Sequence, residues 1–460
     1  MGTDADDAKV VAFDPKRTED SRPPAFSDES LALRFAELHA EDLRYVAAWN
    51  KWLIWDGARW GFDETMEAYS LVRKVCRFAA GQCNKPKLAS ALASAKTVAA
   101  VANLSRSDRR LAATVDQWDT DPWALCTPSG VIDLRTGKQR PARPLDHFTK
   151  LTSIAPNDKC PTPTWRAFLE RITNGDAELV GFLQRVAGYA LTGSTREHAL
   201  FFLHGVGANG KSTFLNAITG IIGDYHTAAA IETFTASTQE RHSTDLAGLR
   251  GARLVTSVET EEGRRWAEAK IKALTGGDKI AARFMRQDFF EFVPTFKLVI
   301  AGNHKPGLRS VDEAIRRRFH LVPFDVTIPP AERDNNLGER LRAEGPGIMA
   351  WMIAGCVEWQ ACGLAPPDAV TRATAAYLEA EDAFAAWMDE IGTRDAEAWQ
   401  TTKMLFTSWK NWADNAGEHA GTMKRFTQNL ETRGLTPERK THARGFRGFR
   451  ICTDLSGGPK

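Results

Sequence analysis

A glycine-rich segment between two regular elements constrains the fold of this chain more than any other feature. Residues 201–213 read Phe-Phe-Leu-His-Gly-Val-Gly-Ala-Asn-Gly-Lys-Ser-Thr, and they contain the pattern G-x-x-x-x-G-K-[ST]. An apolar strand precedes the glycines, and a helix is predicted to follow over residues 214–222. Strand, loop and helix in this order predict an α/β unit whose loop binds phosphate.

The residue types of this loop fit the chemistry of a nucleoside triphosphate. Glycines let successive backbone N–H groups point toward phosphate oxygens, and the following helix adds the positive end of its dipole. Lys211 can reach the β- and γ-phosphates, and the Ser212 hydroxyl can ligate Mg²⁺. A glycine-rich turn that matches by chance is the alternative, which the flanking elements disfavour. The residues predicted to bind ATP are Gly205, Val206, Gly207, Ala208, Asn209, Gly210, Lys211, Ser212 and Thr213.

Length and composition bound the remaining choices. A chain of 460 residues is expected to hold two to four domains. The net charge is only +2, so any nucleic-acid surface must be local. Seven dispersed cysteines without a C-x-x-C pair favour a reducing interior over a disulfide framework or a zinc site. Because no signal peptide or membrane-length apolar run is found, we expect a soluble, cytoplasmic protein without a membrane partner.

An apolar strand ends on an acidic residue downstream of the glycine loop. Residues 252–258 are followed by Glu259, and Glu261 and Glu262 are close enough to compete for the same role. A carboxylate at this place holds Mg²⁺ through water or polarises the attacking water. The sequence therefore predicts Glu259 as a catalytic residue and a metal ligand.

Two more polar positions follow buried strands of the same α/β region. The strand predicted over residues 296–302 ends on Asn303, an amide suited to hydrogen-bond the attacking water or the γ-phosphate. Arg317 and Arg318 end a predicted helix just before the strand at residues 320–324. An arginine there suits a finger that reaches the γ-phosphate of a neighbouring subunit and offsets transition-state charge. A solvated basic helix end is the alternative.

A short hairpin and a basic C-terminal module are candidates for nucleic-acid contact. Residues 279–284 and 289–292 predict a β-hairpin with Arg283 and Arg286 at or near its tip, although an ordinary surface hairpin is favoured in isolation. Helices predicted over 405–412 and 423–432, followed by a two-stranded ribbon, suggest a winged helix. Its basic residues suit phosphate contacts. They are Lys424, Arg425, Arg433, Arg439, Lys440, Arg444, Arg447 and Arg450.

The N-terminal third has no catalytic constellation. Asp56-Gly57 between tryptophan-rich runs predicts a hairpin. A base-stacking platform is one interpretation of the tryptophans, and a packed hairpin core is the favoured one.

The predicted domains are a disordered tail (1–28), an N-terminal α+β accessory domain (29–160), a helical connector (161–195), a P-loop ATPase core (196–330), a helical subdomain (331–392) and a winged-helix-like DNA-binding domain (393–456).

Six sequence runs resemble superfamily 3 helicases, and more narrowly the helicase module of phage and plasmid primase-helicases with poxvirus relatives. They are RGARLV (250–255), SVETEE (257–262), KALTGGD (272–278), PTFKL (294–298), GNHKP (302–306) and DEAIRRR (312–318). The resemblance implies an α/β fold with a P-loop AAA+-like superfamily 3 core, an N-terminal α+β domain, a helical subdomain and a C-terminal winged helix.

The same resemblance assigns roles to individual residues. Lys211 and Ser212 match the P-loop, Glu259 the second acidic motif and Asn303 the sensor asparagine. Arg317 or Arg318 takes the finger position. The expected DNA contacts are Arg283 and Arg286 of the hairpin, Lys305 of the GNHKP run, and Arg444 and Arg447 of the C-terminal module.

Such proteins form hexameric rings that use ATP and Mg²⁺ to draw single-stranded DNA through a central pore, usually 3′ to 5′. The resemblance therefore implies single-stranded and forked DNA as partners, and self-association. Barely 200 residues precede the P-loop, so no polymerase-like primase domain is expected and a separate primase or replication initiator is the implied partner. The expected setting is a bacterial cell that carries a phage or another mobile element.

Two other classes of protein remain open from the sequence. One is a P-loop ATPase that remodels proteins or acts as a switch, whose turnover single-stranded DNA would not stimulate. The other is an origin-binding or loading factor without unwinding activity, which would bind DNA with a steep salt dependence and hydrolyse ATP negligibly.

Overall fold

The structure, a computed structural model, describes residues 23–236, 244–258, 264–285, 288–308, 311–418, 420–440 and 443–452. These residues form two compact units. The first contains the chain up to residue 120 together with 141–150, and the second contains 121–140 and the chain from 151 onward. Residues 121–140 and 151–160, which the sequence analysis assigns to the accessory domain, thus lie in the second unit. Most of the predicted tail (1–28) falls outside the described residues.

The first unit packs four helices with a four-stranded sheet of order β3-β2-β1-β4. The predicted hairpin at Asp56-Gly57 is confirmed, since β2 and β3 pair antiparallel on either side of it. Trp60 is fully buried beside Trp118, which supports the packed-core interpretation for these two rings. The elements are α1 (Asp28–His39), β1 (Leu43–Val46), β2 (Lys51–Trp55), β3 (Trp60–Phe62), α2 (Glu67–Gln82), α3 (Pro86–Leu92), α4 (Ala95–Ser105) and β4 (Ala112–Ala113).

The second unit begins with a small antiparallel sheet and two helices, and then forms a five-stranded parallel sheet. Its elements up to the end of that sheet are β5 (Ala124–Thr127), β6 (Gly130–Asp133), β7 (Lys138–Arg140), α5 (Pro163–Ile172), α6 (Ala177–Ala190), β8 (Leu200–His204), α7 (Lys211–Ile222), β9 (His226–Ala228), α8 (Thr244–Ala247), β10 (Leu254–Val258), α9 (Glu268–Gly276), β11 (Ile280–Ala282), β12 (Phe290–Phe292), β13 (Lys297–Gly302), α10 (Glu313–Arg316) and β14 (Phe319–Pro323).

The parallel sheet has the strand order β14-β8-β13-β10-β9. Strand β8, which lies between β14 and β13, is apolar at every position but the last because both faces of the sheet are covered, as parallel sheets require. Phe201 and Leu203 pack into one hydrophobic cluster, whereas Leu200 and Phe202 pack into the other. All neighbouring strands in this sheet run parallel, so the loops after them lie along one edge, where α/β proteins bind ligands.

Helices after the sheet contribute to the hydrophobic clusters on both of its faces and lead to the C-terminal module. Two glycines let α12 approach α6 closely, because a Cβ on Gly188 would lie 2.1 Å from the Cys356 nitrogen and one on Gly355 would lie 2.2 Å from the Gln184 carbonyl oxygen. The remaining elements are α11 (Leu337–Ala343), α12 (Gly345–Cys362), α13 (Asp368–Ala380), α14 (Ala383–Ile391), β15 (Gly392–Thr401), α15 (Thr402–Asn415), α16 (Met423–Thr432), β16 (Thr436–Lys440) and β17 (Ala443–Ile451).

The C-terminal module runs helix–strand–helix–helix–strand–strand from α14 to β17, with a sheet of order β15-β17-β16. Its core contains Trp387, Trp409, Phe426 and Phe449. The predicted helix pair and ribbon are confirmed here, and β15 is an additional strand. Helix α14, which the sequence analysis placed in the preceding subdomain, packs into this core.

Among the helices that the structure describes, no single one combines the length and the apolar composition needed to cross a membrane. Only the bent pair α3 and α4 meets those two criteria jointly.

Candidate nucleotide site

The glycine loop (residues 205–212) connects the end of β8 to the first turn of α7. Two of its glycines are required by space. A Cβ on Gly205 would lie 2.1 Å from the Phe324 carbonyl oxygen. Gly210 has a φ of +87°, and a Cβ there would lie 2.5 Å from Ile172 Cγ2. The loop can therefore take this path only with glycine at both ends of the motif.

The Lys211 ammonium lies inside the loop, surrounded by oxygen atoms. Its Nζ donates to the carbonyl oxygen of Gly205 at 2.6 Å, to Asn209 Oδ1 at 3.1 Å and to Asn303 Oδ1 at 3.2 Å. Burial lowers the pKa of the Lys211 ammonium below its usual value. Asn209 is held by its own bond from Nδ2 to the Phe324 carbonyl oxygen. The loop thus holds a positive charge within a shell of acceptors, none of which is a carboxylate.

Asn303 reaches Lys211 because β13 lies beside β8. Gly302 pairs with His204 at the ends of the two strands, so Asn303 follows at the same edge of the sheet. The structure brings these two predicted residues together from positions 92 residues apart.

Strand β10 ends at the same edge, with Val258 opposite Ala301. The predicted acid Glu259 follows Val258 in the sequence. Glu259 and its competitors Glu261 and Glu262 lie outside the described residues. Their assignment stays a prediction.

The first turn of α7 offers a hydroxyl beside the loop. Ser212 is exposed, and its side chain forms no hydrogen bond to another residue that the structure describes. Lys211 next to it is buried. A triphosphate with its Mg²⁺ ion fits these groups. They are the N-terminus of α7, the glycine loop, whose space a Cβ would fill, and the hydroxyl oxygen of Ser212.

A cavity of about 690 Å³ adjoins the loop, and the sequence analysis did not identify it. Gly210 and Thr213 form one wall. Phe168 of α5 and two residues after β14, Ile328 and Leu337, supply apolar surface. Ion pairs between Arg171 and Glu332, at 2.8 Å, and between Arg340 and Asp334 border it. A cavity of this size, apolar with a few charged groups at its border, fits a nucleoside.

Arg317 and Arg318 lie at the opposite edge of the sheet, where Phe319 pairs with Leu200 at the start of β8. Arg318 is 7% exposed. Its Nη1 donates to the Ala314 carbonyl oxygen at 2.8 Å, and burial lowers its pKa. Arg317 is exposed and has no polar partner within the described part of the chain. The structure therefore does not bring either arginine to Lys211 of the same chain. The two arginines also differ in exposure, since Arg318 is buried and Arg317 is exposed.

The predicted basic hairpin is confirmed, since β11 and β12 pair antiparallel with Ala282 opposite Phe290. Arg283 is exposed near the tip, and its guanidinium lies 4.6 Å from the centre of the Phe289 ring. Met285 at the tip is 72% exposed. Arg286 lies outside the described residues.

The three other predicted DNA contacts have different surroundings. Lys305 is exposed after β13. Arg444 is exposed and lines a groove of about 500 Å³ beside Lys403. Arg447 is paired with two carboxylates, Glu438 at 2.8 Å and Glu397 at 3.2 Å. Its charge is largely compensated within the module.

Taken together, fold and site define a mixed α/β protein with a parallel sheet and a phosphate-loop motif at its carboxyl edge. Residues 32–174 match the family described as D5 N terminal like, and residues 203–318 match a family of unknown function, DUF5906. Two solved structures of the apo NrS-1 C-terminal region share the fold, with TM-scores of 0.50 and 0.51 at 10% identity. They cover 92% of this chain, which covers 98% and 100% of theirs.

Two curated viral relatives are also similar in sequence. Putative helicase 022R of Frog virus 3 (isolate Goorha) is 25% identical over 296 residues, and putative helicase L207/L206 of Acanthamoeba polyphaga mimivirus is 26% identical over 289 residues. The matches cover 59% and 58% of this chain, which spans only 30% of the length of each relative. The two family matches and the viral relatives support the resemblance to phage and viral primase-helicases that the motifs predict.

Proposed function

We propose that this chain is an ATP-dependent DNA helicase, a ring-forming translocase on single-stranded DNA that acts in the replication of a phage, prophage, satellite or plasmid. The observation that carries the proposal is the contact of Lys211 Nζ with Asn303 Oδ1 at 3.2 Å. A phosphate-binding lysine and a polar sensor on the adjacent strand are the pair that a triphosphate hydrolase needs at its γ-phosphate.

The sheet supports a P-loop core of the AAA+-like, superfamily 3 type. Strand β8, which delivers the glycine loop, lies between β13 and β14, and β13 lies between β8 and β10. The strand that carries Asn303 is therefore flanked by the strand before the loop and the strand before Glu259. An order in which the lysine, the sensor and the acid lie on three consecutive strands suits hydrolysis of one bound triphosphate.

The catalytic roles follow from the groups at this edge. Backbone N–H groups of the glycine loop and Lys211 bind the β- and γ-phosphates, and the neighbouring cavity takes the nucleoside. Ser212 and Glu259 would hold Mg²⁺, which when bound offsets charge on the transferred phosphoryl group. Asn303 orients the attacking water, and Glu259 accepts its proton.

The exposed Arg317 is the better of the two finger candidates. It has no polar partner among the described residues, whereas Arg318 is fixed inside its own subunit. An arginine at the far edge of the sheet fits a site that two neighbouring subunits complete together. At that site its guanidinium would offset the negative charge of the transition state. This supports a ring as the working form.

Surfaces for DNA lie on the basic hairpin and on the C-terminal module. The order of elements from α14 to β17 supports a winged helix, whose second paired helix and ribbon would contact DNA. Arg283, Lys305 and Arg444 are exposed and suit phosphate contacts. The viral relatives bear the name putative helicase, which supports the same activity here.

The test is ATP turnover with and without single-stranded DNA, with light scattering on the same sample for the mass of the assembly. We expect DNA to stimulate turnover and the mass to be that of a ring. Turnover that DNA leaves unchanged would instead indicate a protein-remodelling ATPase. Salt-sensitive DNA binding with negligible turnover would indicate an origin-binding or loading factor.

A further inference from the structure

The first unit contains a long stretch without acidic residues. Between Glu67 and Asp108 the chain has no Asp or Glu, although acidic and basic residues nearly balance over the whole sequence. Seven basic residues lie in the stretch: Arg73, Lys74, Arg77, Lys85, Lys87, Lys96 and Arg106. Like charges on one segment repel one another, and a bound polyanion would reduce that repulsion.

Three of these residues share the solvent face of α2. Positions 72, 75, 76 and 79 of this helix are buried, and the face opposite them carries Arg73, Lys74 and Arg77. Arg73 and Arg77 are one helical turn apart and therefore point in nearly the same direction. Phe78 lies on the same face with 70% of its surface exposed. This basic face of α2 combines cations with an aromatic ring in solvent.

The charges on this face are poorly compensated. Of the three cations, Lys74 alone has an acidic partner among the described residues, Glu67 at 3.4 Å, and both side chains are half exposed. Within the described part of the chain, Arg73 and Arg77 form no ion pair or hydrogen bond. Other arginines of the same unit do, since Arg110 pairs with Asp108 at 2.6 Å. The two free guanidinium groups keep their full capacity for bidentate contacts to phosphate.

An aromatic cleft adjoins the same helix. It has a volume of about 400 Å³, and its lining includes the rings of Trp49, Trp52 and Tyr69 together with Lys51 and Arg106. Tyr69 lies one turn before Arg73 on α2. Trp49 and Trp52 are only partly buried, unlike Trp60. Stacking surfaces beside a row of cations are the combination that holds unstacked bases and their backbone.

We propose that the basic face of α2 and the aromatic cleft form a second binding surface for single-stranded nucleic acid, separate from the hairpin and the C-terminal module. Arg73, Lys74 and Arg77 contact phosphates, Phe78 stacks on a base, and the cleft accepts another. Glu67 is the one acidic residue of α2, and Asp63 is the one acidic residue in the lining of the cleft. Cations therefore outnumber acids on this surface, which matches a polyanion better than a protein surface of mixed charge. The surface works without ATP turnover.

The test is fluorescence anisotropy of a labelled oligothymidylate with the full chain and no nucleotide, over a series of salt concentrations. The double variant Arg73→Gln/Arg77→Gln is expected to bind roughly fivefold more weakly or worse, and the slope of log affinity against log salt should fall by about 1.4 for two lost phosphate contacts. Arg34→Gln is the matched control, because Arg34 is an exposed arginine of the same unit that pairs with Glu37. Its affinity and slope should equal those of the wild type.

A second substitution tests the stacking role. Phe78→Ala should weaken binding by roughly fivefold or more without changing the salt slope, since no charge is lost. Leu145→Ala is its control, because Leu145 belongs to the same unit and is 77% exposed. Thermal unfolding of all four proteins should match that of the wild type, which excludes loss of folding as the cause.

Three outcomes would overturn the inference. The first is unchanged oligonucleotide affinity and slope in the double variant. The second is loss of binding to phosphatidylserine vesicles while oligonucleotide binding is retained, which would indicate a membrane surface. The third is a changed molar mass with unchanged oligonucleotide binding, which would indicate a subunit contact. If the double variant binds weakly while DNA fails to stimulate wild-type ATP turnover, this inference stands and the proposed motor fails. If the double variant binds as the wild type does while DNA stimulates turnover, the motor stands and this inference fails.

Discussion

At the scale of single residues, the contact between Lys211 and Asn303 carries most of the functional argument. The glycine loop could be identified from the sequence because its pattern is local: glycines, lysine and serine follow one another within eight positions. Asn303 could also be identified as a candidate site residue, from an apolar strand that ends on an amide, although its contact with Lys211 could not. The cavity beside the loop was not, because its walls come from α5 and from residues 328–340, which only the tertiary fold brings together.

The two adjacent arginines should behave differently when substituted. Arg317→Ala should abolish ATP turnover while thermal stability is retained, because the guanidinium would act in the neighbouring subunit. Arg318→Ala should instead lower the unfolding temperature, since it removes a buried side chain bonded to the Ala314 carbonyl oxygen.

Mixing two inactive variants tests the shared site. Lys211→Ala and Arg317→Ala subunits combined in equal amounts should recover about a quarter of wild-type turnover, because one interface in four pairs an intact lysine with an intact arginine. A mixture as inactive as its components would contradict a finger supplied by the neighbour.

His320 makes the fold sensitive to mild acid. Burial between the rings of Phe182 and Phe201 lowers its pKa from 6.5 to about 4. The unfolded chain therefore binds a proton that the folded chain excludes, so stability falls as the pH drops from 6.5 toward 4, by up to about 1.4 kcal/mol per pH unit. His320→Phe should remove this contribution.

The measurement is the unfolding temperature of both proteins between pH 8 and pH 5. The two curves should run parallel above pH 7, where the histidine is neutral in both states, and diverge below pH 6.5 in favour of the variant. Parallel curves over the whole range would show that the histidine keeps an ordinary pKa.

At the scale of elements, local patterns predicted those strands and helices whose apolar residues follow a regular period. The basic hairpin and the helices of the C-terminal module are examples. Strand β15 was missed because its ten residues include Arg394, Asp395 and Glu397, and because its register shifts between Asp395 and Trp399. An irregularity of this kind breaks the alternation from which a strand is recognised.

Asp382 joins the C-terminal module to the sheet region, and its loss should loosen that junction. The carboxylate is buried, caps α14 through the Ala385 N–H at 3.1 Å, and receives Arg433 at 2.5 Å and Arg316 at 3.4 Å. Asp382→Ala leaves two cations and a helix end unsatisfied, which costs about 3–5 kcal/mol for a buried pair. We expect a lower unfolding temperature and earlier proteolysis near residue 382. Asp389→Asn, on the exposed face of the same helix, should change neither.

The basic hairpin is expected to serve unwinding rather than hydrolysis. The double variant Arg283→Ala/Arg286→Ala should hydrolyse ATP at the wild-type rate without DNA but lose strand separation, because it removes the proposed contacts to the DNA backbone and leaves the glycine loop unchanged. Lys279→Ala, at the base of the hairpin and near Glu291 at 3.9 Å, is the control. A double variant that unwinds as well as the control would remove the hairpin from the mechanism.

At the scale of the whole molecule, the account is that of a ring in which each site is shared by two subunits. In the proposed ring, the phosphates would bind at the carboxyl edge of one sheet, and Arg317 at the other edge would act in the next subunit. The sequence could predict this arrangement only through resemblance, because a single chain would supply only part of each site. Where the first unit ends could not be predicted either, since residues 121–140 leave the N-terminal unit and join the second one.

The central claim is that this chain converts ATP hydrolysis into strand separation. Its most direct test is a forked DNA duplex with one fluorescent strand, incubated with the protein, Mg²⁺ and ATP, and compared with the Lys211→Ala variant and with a non-hydrolysable ATP analogue. The account predicts release of the labelled strand by the wild type with ATP and in neither comparison. A wild-type protein that assembles and hydrolyses ATP in the presence of DNA, yet leaves the fork intact, would contradict it.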